Sequence, residues 1–325
     1  MNRRRTILLG AAGAAALVRP ARAQPPFPSR PLRLVVAFPA GGPTDVIARV
    51  LAEPMARSLG QPIIVENRGG ANGNIAADHV AKAEGDGHTM LYNTSSIAIS
   101  QALYRTLGYS LERDLAPVSL VAAAPSLLVV NPGVPARDPA GFVAWARANS
   151  GKISYGSGGV GNISHLQVFM VMRHIGAEAT HVPYRGTAAA LTDVAAGNVQ
   201  FMSDALNTAL PLAREGRVRA IAVSTLERSP TLPEVPSMAE SGLLPPGTDS
   251  GIWQGIMVPA RTPAPIVAQL NAAVNAALRT EEVRARLAAM GARPTGGTPE
   301  ENARYLREEV ALWARVVKDS GATAE

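Results

Sequence analysis

The 325-residue chain contains no cysteine. That excludes disulfides, thiolate metal sites and a cysteine-linked lipid anchor. Aromatic residues make up only 4% of it, and no basic run occurs after the first 22 residues. The basic, aromatic-interleaved surface of a nucleic-acid binder is therefore missing. The histidines His79, His88, His165, His174 and His181 form no H-E-x-x-H pattern, and there is no G-x-S-x-G elbow. Metal-assisted and serine-type hydrolysis lose their usual signatures. No fixed-period repeat is present. The longest run near the start, Thr6 to Val18, has 13 residues. A membrane span needs roughly 20.

What that start does contain is ordered. Arg3-Arg4-Arg5 precede the apolar run, and Arg19-Pro20 and Ala21-Arg22-Ala23 follow it before Gln24. Charged, apolar and A-x-A regions in that order read as an export signal over residues 1–23, cleaved to leave a periplasmic chain. The Arg-Arg-Arg-Thr-Ile-Leu run resembles a twin-arginine signal, which implies export in the folded state, and the Sec route stays open beside it. The leader also explains the charge. The whole chain is +6, but five of its arginines and none of its acids lie in the leader, so the mature chain is near +1. Without disulfides, about 300 mature residues must build a large core, as two domains or one large one.

The mature chain is organised around Leu32 to Asp45, LRLVVAFPAGGPTD. Leu34 to Phe38 has the continuous apolar pattern of a strand buried on both faces. Pro39 ends it, and Gly41-Gly42 allow close backbone approach. Pro43, Thr44 and Asp45 supply helix-start chemistry ahead of Val46 to Leu51. Unpaired N–H groups at the positive end of a helix suit an anion. An ordinary capped turn has the same residues. A side chain at Gly42 is expected to obstruct the loop and to meet a backbone angle that valine resists.

Strand and helix alternate from there. Pro62 to Glu66 reads as a strand, Asn74 to Ala83 as a helix, and Thr89 to Tyr92 as a strand ending in Asn93-Thr94-Ser95-Ser96. Pro125 breaks the apolar stretch Pro117 to Asn131, a segment suited to carry the chain between two units. The second unit places loops after strands at Gly156 to Gly161, Arg185 to Thr187 and Ser203-Asp204. Arg219 to Val223 returns, and a proline-rich connector follows over Ser229 to Gly247. A late strand, Gly255 to Val258, precedes helices near Pro265–Leu278, Glu281–Met290 and Pro299–Lys318. We therefore expect a first domain of residues 24–123 and 224–325, a second of 124–223, and a hinge at Leu120–Ser126 and Val223.

Four strand ends share one chemistry: the Phe38 loop, Thr94-Ser95-Ser96, Ser157-Gly158 with Asn162 and Ser164, and Tyr184 to Gly186. All carry glycine, hydroxyl or amide groups at helix starts. In open α/β sheets ligands lie beyond the carboxyl ends of the strands. A cleft between two units would collect all four, and donor-rich walls with few cations suit a small carboxylate.

These residues also carry a resemblance. FPAGGPTDVIARVLAEPMARSLGQPIIVENRGGANGNIAADHVAKAEGDGHTMLYNTSS resembles the start of the Bug receptors, the extracytoplasmic solute receptors of tripartite tricarboxylate transporters. QALYRTLGYSLERDLAPVSLV, Tyr155-Gly156-Ser157, Ser164-His165-Leu166, His181 to Gly186 and Gly296 to Glu300 extend it over the mature chain. The resemblance implies an α/β, type II periplasmic-binding-protein fold, with two domains closing on a carboxylated solute. It implies a ligand set drawn from Phe38, Ala40, Gly41, Gly42, Thr44 and Asp45 in the first loop, then Thr94, Ser95 and Ser96. The second domain would add Ser157, Gly158, Asn162, Ser164, Tyr184, Gly186 and Asp204. It further implies a monomer that serves membrane permease subunits, with no catalysis, cofactor, metal or nucleic acid. The chain departs from the family pattern at Asn93, Ala205 and Asn162-Ile163, where Ile163 replaces a hydroxyl with an apolar group. Asp204 either accepts from a ligand amine or hydroxyl or caps the next helix.

The rival reading is an exported dinucleotide-binding oxidoreductase. Gly156 to Gly161 spells G-x-G-x-x-G between a strand and a helix, with Glu178 further on. Against it, Glu178 precedes the next strand instead of ending it, and the loop lies mid-chain with no second nucleotide half. His165 reads as a packing or capping residue, His79 and Asp78 as a solvated helix face, and Trp145, Trp253 and Trp313 as core.

Overall fold

The computed structural model describes residues 27–324; the leader assigned to residues 1–23 lies outside them. The first stretch runs β1 (Leu32–Val36), α1 (Pro43–Leu59), β2 (Ile63–Asn67), α2 (Asn74–Ala81), β3 (Thr89–Thr94), α3 (Ser96–Leu103), α4 (Leu111–Asp114) and β4 (Leu115–Ala124). The second runs β5 (Ser126–Val130), α5 (Pro139–Ala148), β6 (Ser154–Ser157), α6 (Ile163–His174), β7 (Thr180–Pro183), α7 (Thr187–Ala196), β8 (Phe201–Ala205), α8 (Leu206–Arg214) and β9 (Arg219–Val223). The chain closes with β10 (Ile252–Pro259), α9 (Ala264–Leu278), α10 (Glu281–Ala289), β11 (Arg293–Pro294) and α11 (Pro299–Ser320).

Two mixed sheets result, ordered β11-β4-β10-β3-β1-β2 and β7-β6-β8-β5-β9. Each is built alike. A central strand lies between two parallel neighbours, and one antiparallel strand, β10 or β5, sits beside the third. The alternation of side chains along β1 explains why it reads as one apolar run. Leu32, Leu34 and Val36 point into a core with Ile47, Leu51 and Met55 of α1 and Leu270 and Val274 of α9. Val35 and the following Ala37 point the other way, toward α2, α3 and Trp313 of α11. Both faces need apolar residues, so every position from Leu34 to Val36 is apolar, with the half-buried Arg33 near the start of the strand the exception. The second sheet repeats the arrangement, with α5 and α6 over one face and α7 and α8 over the other.

The chain crosses between sheets twice. Pro125 separates β4 from β5 with a single residue, and Ser224 to Gly251 joins β9 to β10. That connector buries Leu232 and Val235 in one core of the second sheet and Met238, Leu243 and Leu244 in the other. A boundary at 224 gives the connector to the first unit, whereas its apolar side chains pack with the second. Helix α6 bridges the two halves: Leu166 is buried with Leu103 and Trp313 of the first, and Arg173 pairs with Asp319 of α11 at 2.8 Å.

Candidate functional site

Between the two sheets lies a cavity of about 290 Å³. Its walls come from the carboxyl ends of β1 and β3 on one side and of β6 and β8 on the other, where parallel strands hand over to helices. Phe38, Thr44, Thr94, Ser95, Ser96, Asn162, Ser164 and Asp204 all line it. Ala40, Gly41, Gly42, Asp45, Ser157, Gly158, Tyr184 and Gly186 do not. Among the described residues no lysine or arginine lines the space, and Asp204 is the one carboxyl group that does.

The first loop explains the division. Asp45 is buried and turned back on its own loop, where it accepts the Gly41 N–H at 2.9 Å, an Asn67 amide N–H at 2.9 Å and the Arg49 guanidinium at 3.0 Å. Asn67 also donates to the Phe38 carbonyl at 3.0 Å. Burial alone would raise the Asp45 pKa, but these donors outweigh it and hold the group below the usual carboxylate range. Gly41 takes the left-handed angle, φ +81°, while Gly42 has an ordinary extended φ of −75°. The angle valine would resist therefore belongs to Gly41. Pro43 then opens α1, and the first-turn amides of Thr44 and Asp45 have no acceptor within the helix.

At the end of β3 most polar groups are spent on one another. The Asn93 side-chain Oδ1 accepts from Thr94 N–H at 2.7 Å and from the Ser96 hydroxyl at 3.2 Å. Thr94 Oγ1 in turn accepts Ser96 N–H at 3.2 Å. Ser95 differs: its N–H donates to the Trp253 carbonyl at 3.0 Å, and among the described residues its hydroxyl has no hydrogen-bond partner. Gln254 is similar. Its carbonyl oxygen accepts the Tyr92 hydroxyl at 2.9 Å, which leaves its NH₂ for the cavity that it lines.

In the second half, the glycine loop consumes its own donors. Gly158 N–H goes to Ser164 Oγ at 3.0 Å, Gly159 N–H to Ser157 Oγ at 3.1 Å, and Gly161 N–H to His165 Nδ1 at 3.1 Å. Those N–H groups are the ones a pyrophosphate would need, so the G-x-G-x-x-G spelling has no cradle to offer. Asn162 caps α6 through Ser164 N–H at 3.0 Å. Tyr184 donates to Asp193 at 2.7 Å, and burial together with Asp193 pushes its pKa up to about 12. Gly186, at φ +105°, is the N-cap position of α7. Asp204 is tied to the start of α8, accepting Ala205 N–H at 2.8 Å and the Thr208 hydroxyl at 2.7 Å, but the N-cap is Ala205 with no side-chain cap bond, and Asp204 also lines the cavity. Burial raises its pKa against those bonds.

Several further cavity residues lie outside the ligand set that the resemblance implies. Ser126 and Ala124 flank Pro125 at the crossing, Thr187 and Asn207 open α7 and α8, and Ile47, Ile99, Ile163 and Met290 supply apolar wall. Ser126 could have been found from the Pro125 break, whereas Gln254 and Met290 arrive from distant chain with no local signal. Alternate residues of the crossing face opposite ways. Ala123 and Pro125 line a second cleft of about 610 Å³ behind it, between the connector and α10. That cleft holds charges of both signs and none of the four strand-end segments.

The fold is shared with known proteins. The family model described as tripartite tricarboxylate transporter family receptor matches residues 47–322. A Pseudomonas sp. (strain P51) protein encoded in the tcbD-tcbE intergenic region is 40% identical over 291 residues, 90% of this chain and 86% of that one. The R. palustris protein Rpa4515, solved with adipate, aligns with a TM-score of 0.78 at 37% identity, over 91% of this chain and 99% of its own. MatC from Rhodopseudomonas palustris, with bound malate, gives a TM-score of 0.74 at 38% identity, over 90% and 100%. The α/β fold, two sheets facing a cleft, is that of the periplasmic binding proteins.

Proposed function

The chain belongs to the tripartite tricarboxylate transporter receptor family, and from that premise we propose that it captures a small organic carboxylate in the cavity between its two sheets. The observation that carries this reading is the wall itself: helix starts and unspent hydroxyl and amide donors, with no lysine or arginine among the described residues. The N-terminus of a helix presents about half a positive charge together with free N–H groups, and α1, α3 and α6 all begin there. The adipate and malate held by the two R. palustris proteins are ligands of the matching class. Delivery to a membrane permease, a periplasmic location after removal of residues 1–23, and a monomeric, non-catalytic receptor complete the reading. Within the cavity, the residues we assign to ligand contact are Phe38, Thr44, Thr94, Ser95, Ser96, Asn162, Ser164 and Asp204, joined by Ser126 and Gln254.

A thermal-shift screen of small carboxylic acids against purified mature protein tests it. A ligand that binds only the folded state, at 100 times its dissociation constant, adds about 2.7 kcal/mol of stability. Stabilisation by a carboxylate is the expected result. Stabilisation by a neutral sugar or a nucleotide, with no response to any carboxylate, would overturn the reading.

A further inference from the structure

His165 and His181 come from different elements, α6 and β7, yet their rings stack face to face, with centroids 3.8 Å apart and planes within 5°. Tyr155 of β6 stacks over His181 at 5.0 Å. Each imidazole holds one end of the glycine loop. His181 Nε2 lies 2.5 Å from Ser157 Oγ, which donates to the Gly159 carbonyl and accepts Gly159 N–H, both at 3.1 Å. At the other end His165 Nδ1 accepts Gly161 N–H at 3.1 Å. The loop between them bends through positive φ at Gly159 (+128°) and Gly161 (+71°). A Cβ at Gly161 would collide with Leu103 of α3, so the loop is pressed against the opposite half. Directly after it come Asn162 and Ser164, which line the cavity.

We propose that His165 and His181 are positioning residues for the second half of the site, and that the His165 end holds the loop only while its ring is neutral and releases it in acid. This rests on reading the cavity as the carboxylate site. The chemistry lies in one atom. An Nδ1 that accepts from an amide must carry a lone pair, which places the ring proton on Nε2. The next proton can go only to Nδ1, and it turns the acceptor into a donor facing the Gly161 N–H. A second proton, on His181, would set two cations face to face. The titratable group facing the pair from β6 is Tyr155, whose hydroxyl is pushed upward by burial. Phe201 of β8 and Leu103 of α3 are apolar. Among the described residues the histidine with a carboxylate in ion-pair range is His88, not either of these. Burial, and then the neighbouring His181, accordingly lower His165 to about 4, and burial lowers His181 too.

The sign follows. A histidine depressed in the held state stabilises that state fully above its ordinary pKa of about 6.5, and the stabilisation is lost as pH falls from there toward the depressed value. The test uses the ligand-free mature protein, so it stands even if no carboxylate binds. Amide hydrogen exchange and NMR follow Gly161 and Ser164 together with the histidine rings. Between pH 7.5 and 5.5 the Gly161 protection factor should fall about tenfold, with Ser164 moving alongside. In His165→Asn the side-chain oxygen can replace Nδ1 but cannot titrate, so Gly161 protection should be flat across that range. His181→Gln offers the matching replacement at Ser157, should the first variant fail to fold, and should reduce the drop. Constant Gly161 protection in the parent protein would overturn the proposal, as would an undiminished drop in either variant.

Discussion

The Gly41 N–H donates to the Asp45 carboxylate across 2.9 Å. A residue that the motif presents as a ligand contact is thus the clamp that shapes the loop for its neighbours. With Asn67 and Arg49 it closes a network around a φ of +81°. Replacing Asp45 with Ala removes the acceptor from buried donors. Hydrogen bonds to a charged group contribute roughly 1.5–3 kcal/mol, while the half-exposed Arg49 adds little. We expect Asp45→Ala to lose about 2 kcal/mol in urea unfolding and to bind carboxylate more weakly through a loosened loop. Because the Asp45 pKa is lowered, its stabilisation is present above the ordinary value of 3.8 and is lost as pH falls below it. The difference between parent and variant should therefore shrink in acid. Equal stability at neutral pH would show that Asp45 holds nothing.

Gly41 and Gly42 separate by backbone angle. Gly42→Ala keeps an ordinary φ of −75°, and its Cβ would meet only the Pro39 carbonyl, at 3.5 Å. Its stability should match the parent. Gly41→Ala has open space around the Cβ but a left-handed angle, and should cost about 1–2 kcal/mol. Thermal unfolding of both decides. The reverse order would contradict the loop geometry.

How much of this was legible follows physical range. Pro125 marked the crossing because a proline that breaks an apolar run is a local signal. The strand-end hydroxyls of Thr94 to Ser96 were legible for the same reason, since each strand and its cap are contiguous in sequence. Direction was not legible. Asp45 and Ser95 are equally polar and equally placed at helix starts, yet one faces the loop and the other the cavity. Only the packing of Asn67 and Arg49, 22 and 4 residues away, decides that. Gln254 was hidden more deeply, because it reaches the site through the antiparallel pairing of β10 with β3, which no local pattern encodes.

Ser95 gives the cleanest test of the site. Its N–H is spent in the fold but its hydroxyl has no partner among the described residues, so Ser95→Ala should leave stability within about 0.5 kcal/mol. Against a carboxylate, the missing bond should cost roughly 1.5–3 kcal/mol, or about ten- to hundredfold in affinity. Calorimetry with the acid that responds in the thermal screen measures it. Unchanged affinity in a folded variant would remove Ser95 from the site.

Glu309 tests how the wall behind Ser95 and Gln254 is held. One oxygen of this buried carboxyl accepts the indole N–H of Trp253 at 2.7 Å and of Trp313 at 2.9 Å. Trp253 precedes Gln254 on β10, and its carbonyl receives the Ser95 N–H, so α11 steadies two cavity residues through one acceptor. Glu309→Leu strands both indole groups, and each unsatisfied buried donor costs about 1–3 kcal/mol. Glu309→Gln keeps an oxygen in place and should lose far less. Their pH responses should differ as well. Burial raises the Glu309 pKa above its ordinary 4.5, only partly offset by the two indoles. Its stabilisation is therefore complete below 4.5 and is lost as pH rises through the raised value, the opposite of Asp45. Urea unfolding followed by tryptophan fluorescence at pH 4.5 and 7.5 should show Glu309→Gln gaining on the parent at the higher pH. Glu309→Leu should be the least stable at both, and its carboxylate affinity should fall because β10 carries Gln254 with it. A leucine variant as stable and as tight-binding as the parent would mean that the two indoles lose nothing with their acceptor, and that β10 is held from elsewhere.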